Sequence, residues 1–471
     1  MPRTQFDFLD LARQMPRELP VATRLGLDVE IYGRFEPAEA KVQAGRCLDC
    51  GNPYCSNGCP VGNAIPQWLE LVRQGRLFEA ATLAHETNPL PEICGRVCPQ
   101  DRLCEGACTL ETGFDAVTIG SIEKYLVDEA FKQGWRPDLS HVKPRRERVA
   151  VVGAGPAGLA CADRLVRAGV GVTVFDRHDE IGGLLTFGIP PFKLEKSVIA
   201  TRRQVLEGMG VRFQLATDVG RDIEFGALLA GHDAVFVGTG ATTPVDARLP
   251  GQSLPGVLPA LPFLIANARR VLGRTLDADD AAMLDLKGKR VRVLGGGDTA
   301  MDCVRTARRL GAAEVSCVYR RDAESMPGSR REVKNARDEG VEFLFHRAPL
   351  AIEGEGRVQA LRVARTEAAG RGAFSIVEGE SETLAADVVI LAFGYRASPP
   401  AWLAEHGVRL ADSGLIVGVG ASPYQTSVPK LWAGGDALRG ADLVVTAVRD
   451  GRDAAAAMLR QFKGIAIRTA A

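Results

Sequence analysis

The sequence predicts an α/β protein: two Rossmann-like, doubly wound nucleotide-binding domains, preceded by an α-helical domain rich in cysteine. Three observations carry this prediction. A unit of strand, glycine turn, helix and second strand runs from Val149 to Asp176. A copy of it begins at Arg290. Ahead of both, eight of the eleven cysteines fall between Cys47 and Cys108.

Length and composition set the bounds. At 471 residues the chain is long for one domain, and about three fit a prior of ~150 residues each. Lysine plus arginine equal aspartate plus glutamate at 58 each, so no net charge favours nucleic acid or an anionic membrane. No apolar stretch is long enough to span a bilayer. The opening MPRTQFDFLDLARQ carries acidic residues where a signal peptide needs an apolar core, so a cytoplasmic protein is expected. In a reducing compartment the cysteines then read as metal ligands or core residues rather than disulfides.

The first 46 residues read as a helical lead-in punctuated by Pro16, Pro20 and Pro37. CLDCGNPYCSNGCP follows, with Cys47, Cys50, Cys55 and Cys59 at C-x2-C-x4-C-x3-C-P. A helix is expected from Ile65 to Ala84. A second run, CGRVCPQDRLCEGAC, holds Cys94, Cys98, Cys104 and Cys108. Eight thiols at such spacings suit two [4Fe–4S] clusters, and in two-cluster ferredoxins a run closing in Cys-Pro sends its last cysteine to the other cluster. Cys59, and one cysteine of the second run, should therefore cross over. Two four-cysteine zinc sites are the alternative, although zinc ribbons pair C-x2-C knuckles and only one C-x2-C occurs here. This iron–sulfur domain is placed at residues 1–145, ending in the polar stretch HVKPRRER.

In the Val149 unit, Gly153, Gly155 and Gly158 form G-x-G-x-x-G, with Pro156 and Ala157 between them, and Asp176 ends the second strand. The glycines make the turn, admit a pyrophosphate and let helix pack on strand, while the acid accepts from a ribose hydroxyl. Gly182, Gly183 and Leu184 follow where a flavin enzyme brings backbone against its cofactor. Beyond them Phe192 and Lys193 read equally well as a surface loop. The strand-like runs AVFVGTG, at 234–240, and VVILAFG, at 388–394, mark where the chain leaves and re-enters this domain. Near the carboxyl end a short strand, Leu431 to Ala433, leads to Gly434, Gly435 and Asp436. A helix then begins near Val444, with Thr446 and Ala447 in its first turn; Asp436 is expected near the ribityl chain or pyrophosphate. The FAD-binding domain thus spans 146–243 and 394–471, with a second nucleotide domain, 244–393, inserted.

That second domain carries RVRVLGGGDTAMDC, with Gly295, Gly296, Gly297, Asp298, Thr299 and Ala300 as its turn. Where the first unit ends in Asp176, this one ends in Tyr319, Arg320 and Arg321. Arginines there pair with a 2′-phosphate, so NADPH is expected here and FAD at the first site. Cys161, Cys303 and Cys317 read as core residues, since none has the partner cysteine that disulfide reductases of this architecture need. The six histidines sit in no motif and read as structural or solvated. No catalytic side chain is expected, because hydride passes between bound cofactors.

Taken together, the cysteine runs, VVGAGPAGL, EIGGLLTFGIP, LGGGDTAMDC, YRRD…MPGSRREV and AGGDALRGADLVVTA resemble the small (β) subunits of bacterial NADPH-dependent glutamate synthase, from about residue 40 to the end. The arrangement is shared with the corresponding part of dihydropyrimidine dehydrogenase and with subunits of NADH-dependent ferredoxin:NADP oxidoreductase. The resemblance implies FAD, NADPH and two low-potential [4Fe–4S] clusters. It implies one cluster held by Cys47, Cys50, Cys55 and Cys108, and another by Cys59, Cys98, Cys104 and Glu123 in IGSIEKYLVD. Spacing alone chooses Cys94 in place of Glu123. It also implies a hetero-oligomer with a large (α) subunit. Pro2 stands where an amino-terminal amidotransferase would need cysteine, and no length remains for an FMN barrel. Glutamine hydrolysis and 2-oxoglutarate reduction are then expected of that α subunit. Electron input to pyrimidine reduction or to ferredoxin is the alternative.

Overall fold

The computed structural model describes residues 6–370, 373–420 and 422–463. Its frame is two five-stranded parallel sheets built to one plan. The first runs Leu431–Ala433, Ala234–Val237, Arg148–Val152, Gly171–Phe175, Arg212–Gln214. The second runs Val257–Pro259, Val388–Leu391, Arg290–Leu294, Glu314–Val318, Glu342–Leu344. The inner strands of each sheet are short, largely apolar runs because layers cover both faces, whereas the edge strands Arg212–Gln214 and Glu342–Leu344 are partly exposed. In both sheets the strand order reverses beside the glycine-turn strand, Arg148–Val152 or Arg290–Leu294. Such a reversal leaves a crevice at the carboxyl ends of the strands, where nucleotides bind.

Chain passage between the sheets uses a two-stranded antiparallel ribbon, Thr243–Pro244 against Tyr395–Arg396. Helix Pro156–Arg167 buries Leu159, Ala162, Leu165 and Val166 against the first sheet and lies across helix Val444–Phe462. In the second domain an antiparallel meander, Arg347–Glu353, Ala360–Ala368 and Phe374–Ala385, follows the edge strand Glu342–Leu344. No motif in the sequence predicts this meander.

The amino-terminal domain is helical around Trp68, Leu69, Ile122 and Leu126, all buried. The helix expected from Ile65 to Ala84 is two helices, Ile65–Gln74 and Leu77–Thr87. Gly75 separates them: it takes φ +78°, and its N–H caps the carbonyls of the preceding turn. The lead-in is less helical than expected, with only Asp7–Asp10, Val21–Arg24 and Pro37–Gly45 formed among the described residues. Proline cannot continue a helix, and between these pieces the chain makes a bridge of Glu18 with Tyr32.

Phe192 and Lys193 do not form a surface loop. Phe192 is buried under the guanidinium groups of Arg305 and Arg309, 4.3 and 4.0 Å from its ring centre. Lys193 Nζ meets Asp302 Oδ1 at 2.9 Å. Burial works against its ammonium, but the carboxylates of Asp302, Glu332 and Asp298 outweigh it and hold the lysine charged. Among the described residues no helix is long and apolar enough to cross a membrane.

Candidate functional site

At the first sheet's crevice the glycine turn is tight for stated reasons. Gly153 takes φ +103°, and a Cβ there would stand 2.4 Å from Gly238 O. A Cβ on Gly158 would stand 1.9 Å from Gly153 O, so the helix packs directly on the turn. At Gly155 an added Cβ would meet only open space. Gly155 is also the N-cap of Pro156–Arg167 with no side chain capping it, which leaves helix N–H donors directed at that space. Asp176 closes on the same turn: Oδ2 accepts the Ala154 N–H at 2.7 Å and Oδ1 the His178 N–H at 2.8 Å.

Other expected residues gather round it. The Gly182 N–H bonds Ala154 O at 2.8 Å, and a Cβ on Gly183 would lie 3.1 Å from Gly155 Cα. Leu184 opens the short helix Leu184–Phe187. Gly435 sits against Ala157 and Ala447, and Gly434 against Phe236. Asp436 begins the short helix Asp436–Arg439, and burial pushes its carboxyl up to about 7. Thr446 turns its hydroxyl back onto Leu443 O at 2.7 Å. Sequence reasoning missed Thr239, whose buried hydroxyl has no partner among the described residues and whose backbone N lies beside Gly153. The G-T-G that ends AVFVGTG was its only signal.

The second crevice repeats the plan with a different rim. Gly297 caps helix Asp298–Arg309 without a side chain, and a Cβ on it would meet only open space. Ala300 is buried where the first unit has Gly158. Gly295 passes close to Ala392 O, and Thr299 lies in the helix's first turn. The Asp298 carboxylate accepts the Ser329 N–H at 2.9 Å, and Gly296 O accepts the Gly328 N–H at 2.9 Å, so the loop MPGS folds over the turn. Tyr319 packs its ring on Gly296. Arg321 Nε donates to Tyr319 Oη at 3.1 Å, and Arg320 lies over the ring of Phe374. Cys161, Cys303 and Cys317 are buried.

Two cavities in the helical domain sort the other cysteines. Cys47, Cys50, Cys55 and Cys108 line the first, with Tyr54 and Ile119. Cys59, Cys94, Cys98, Cys104 and Glu123 line the second, with Asn63, Asn88, Ile119 and Val445. The short helix Tyr54–Asn57 turns the chain between Cys55 and Cys59. Cys59 thereby joins the second run of cysteines, and Cys108 joins the first. Ile119 faces both cavities, and Val445 opens the helix that reaches the first crevice.

Burial pushes the thiols of Cys55 and Cys59 up to about 11. Cys98 is held well above the ordinary thiol range by its hydrogen bond with Cys94 and by burial, and Cys104 by burial first. Such thiols stay protonated until a cationic metal group takes them as thiolates, with protons released. Burial raises Glu123 to about 8 against the pull of its amide partners. Asn63 and Asn88 both donate to its Oε1, at 3.2 and 3.3 Å, and Cys94 Sγ points to Asn88 Oδ1 at 3.7 Å. Among the described residues no three His, Cys, Asp or Glu side chains converge on one point as single-ion ligands. Thiols round a cavity are the donor set that an iron–sulfur group takes.

Comparison with known proteins agrees with this division. Residues 27–135 match the family described as dihydropyrimidine dehydrogenase domain II, 4Fe-4S cluster. Residues 147–451 match the pyridine nucleotide-disulphide oxidoreductase family. The glutamate synthase [NADPH] small chain of Escherichia coli (strain K12) is 55% identical over 464 residues, covering 97% of this chain and 98% of that one. The putative oxidoreductase AegA of the same organism is 53% identical, over 94% of this chain and 69% of its own length. Among solved structures, FprA from Mycobacterium tuberculosis in complex with NADPH has a TM-score of 0.58 at 22% identity, over 68% of this chain and 85% of that one, a likeness of fold. With near-complete coverage at such identity, and an iron–sulfur domain joined to a disulfide-reductase-like pair of sheets, the chain belongs to the family of NADPH-dependent glutamate synthase small chains.

Proposed function

We propose that this chain is the electron-input subunit of a glutamate synthase: it oxidises NADPH and delivers the electrons singly to a large subunit that makes glutamate from glutamine and 2-oxoglutarate. The observation that carries the reading is the order of the sites. The first crevice, the second cavity and the first cavity follow one another, joined by the helix that opens at Val444 and by Ile119. The first crevice would hold a flavin, which would supply the exchange between hydride and single electrons, and the two cavities would hold iron–sulfur clusters, which would supply single-electron carriage.

The residues divide the work. Gly153, Gly155, Pro156, Ala157 and Gly158 form the turn and helix start against which the FAD pyrophosphate lies, with the uncapped N–H groups of Ala157 and Gly158 directed at it, and Asp176 takes a ribose hydroxyl. Gly182, Gly183, Leu184, Gly434, Gly435, Asp436, Thr446 and Ala447 close round the rest. Gly295 to Ala300 hold the NADPH pyrophosphate, with Arg320 and Arg321 at its 2′-phosphate. Cys47, Cys50, Cys55 and Cys108 hold one [4Fe–4S] cluster. Cys59, Cys98, Cys104 and Glu123 hold the other, with Cys94 beside it. The domain limits are 1–145, 146–243 with 394–471, and 244–393, which the ribbon at Thr243–Pro244 and Tyr395–Arg396 supports.

Anaerobic purification with iron and flavin counts tests this. About eight irons and one FAD per chain are expected, with absorption bleached by NADPH. The chain alone should pass electrons from NADPH to artificial acceptors and make no glutamate; added large subunit should restore glutamate formation. Zinc in place of iron, or glutamate made by the chain alone, would overturn the reading. The identity to AegA favours one second reading, the same input module serving another acceptor. Electron transfer without glutamate formation, even with the large subunit present, would decide for it.

A further inference from the structure

Three consecutive carbonyls beyond strand Glu314–Val318 are tied to the antiparallel meander and the turn that leads into it. Tyr319 O accepts the Arg347 N–H at 3.1 Å, and Arg321 O accepts the His346 N–H at 3.1 Å. Between them Arg320 O accepts the hydroxyl of Thr366 at 2.7 Å. Thr366 is buried on the central strand, at a register shift between Ala364 and itself. Irregularities of this kind re-aim side chains. Phe374, which opens the outer strand, lies under Arg320, with Cζ 4.9 Å from the ring centre. The first nucleotide unit shares the two backbone ties, with Asp176 O accepting the Thr217 N–H at 2.9 Å and His178 O the Ala216 N–H at 2.8 Å; what the second unit adds is the Thr366 hydroxyl on the carbonyl between them and the Phe374 ring under Arg320.

We infer that the meander is a cofactor-specificity device, in which Thr366 and Phe374 are positioning residues for Arg320. The inference rests on the reading of Arg320 and Arg321 as the 2′-phosphate site. An arginine on an exposed turn loses rotamer freedom when it binds an anion, and that loss weakens binding. A ring against its face removes part of the freedom beforehand and leaves the in-plane N–H groups for the phosphate. The Thr366 bond fixes the peptide from which the side chain springs. Preorganisation of this kind favours the ligand that bears the 2′-phosphate and is indifferent to the one that lacks it.

Steady-state kinetics of the flavin- and iron-loaded protein with an artificial acceptor test this. Phe374→Leu should raise the KM for NADPH relative to that for NADH by about two- to fivefold, the range expected of an exposed cation–π contact. Phe374→Tyr should restore the preference. Thr366→Val should act in the same direction and Thr366→Ser should not. In an Arg320→Ala background, which itself lowers the preference, Phe374→Leu should add nothing. Direct binding of 2′,5′-ADP against ADP, followed by calorimetry, should follow the same order, and it remains readable in a variant too slow for turnover. Equal loss for both nucleotides in Phe374→Leu would mean a merely structural role and would overturn the inference. If Arg320→Ala lowers the preference while Phe374→Leu and Thr366→Val leave it intact, the inference fails and the site reading stands. If Arg320→Ala and Arg321→Ala both leave the preference intact, the site reading itself fails.

Discussion

At the second cavity a thiol and a carboxylate share one neighbour. Asn88 donates to Glu123 through Nδ2 and receives Cys94 Sγ at Oδ1, so the two candidate ligands are distinguished by chemistry rather than by place. Cys94 is satisfied as a thiol, whereas Glu123 is a buried carboxyl whose ionised form is held, among the described residues, by the amides of Asn63 and Asn88. The cationic core of an iron–sulfur cluster would stabilise the carboxylate, and on that ground Glu123 is proposed as the fourth ligand. Cys94→Ala is therefore expected to keep about eight irons per chain, and Glu123→Ala to lose about four. Iron analysis with the electron paramagnetic spectrum of the reduced protein checks this; loss of half the iron in Cys94→Ala would reverse the assignment. Spacing named every cysteine here but not Asn63, Asn88 or Val445. Those residues reach the cavity from separate elements, and no local pattern joins them.

At the scale of elements, helix Pro156–Arg167 and helix Val444–Phe462 cross so closely that a Cβ on Gly451 would stand 1.9 Å from Ala157 O. Overpacking of this kind costs about 1–3 kcal/mol or more, and here it would push the two helix starts apart. Gly451→Val should lower the thermal midpoint by several degrees and reduce FAD retained on gel filtration; an unaltered flavin content would contradict the role given to the crossing. Much of this level is legible beforehand. Both glycine turns, the strands leading into them and the return strand Leu431–Ala433 follow from apolar runs that end in glycine. The meander does not, because a register shift between Ala364 and Thr366 breaks the alternation of ALRVARTEA, and FSIVEGESETLA is largely exposed, with too few apolar residues to mark a strand. The helix break at Gly75 turns on one left-handed glycine inside an otherwise continuous pattern. Phe192 and Lys193 looked like loop residues because their partners, Arg305, Arg309 and Asp302, lie more than a hundred positions downstream.

Across the whole molecule, buried ion pairs join the domains. Arg202 of the flavin half meets both oxygens of Glu92, at 2.7 and 2.5 Å, and its Nη2 lies 3.1 Å from His85 Nε2. Burial, then Arg202 itself, keeps His85 neutral, so it can accept there while its Nδ1–H bonds Ala81 O at 2.7 Å. Removing one partner strands a buried charge at about 3–5 kcal/mol, whereas replacing both by apolar residues of similar volume is often close to neutral. Glu92→Leu should therefore unfold at markedly lower denaturant concentration, and Glu92→Leu with Arg202→Met should recover most of the loss. A double variant no better than the single one would show that the pair does more than balance charge. Farther out, Arg24 meets Glu339 and Tyr32 donates to Asn335 Oδ1 at 3.0 Å, across 303 positions of sequence. That separation is also an interval of time. At ~5–20 residues per second of synthesis, Tyr32 waits about 15–60 s for Asn335 to be made. The second cavity waits longer, because Val445 in its wall belongs to the last helix among the described residues. While the chain is growing, that cavity stands open on one side, and a ribosome supplies the period in which it can be filled.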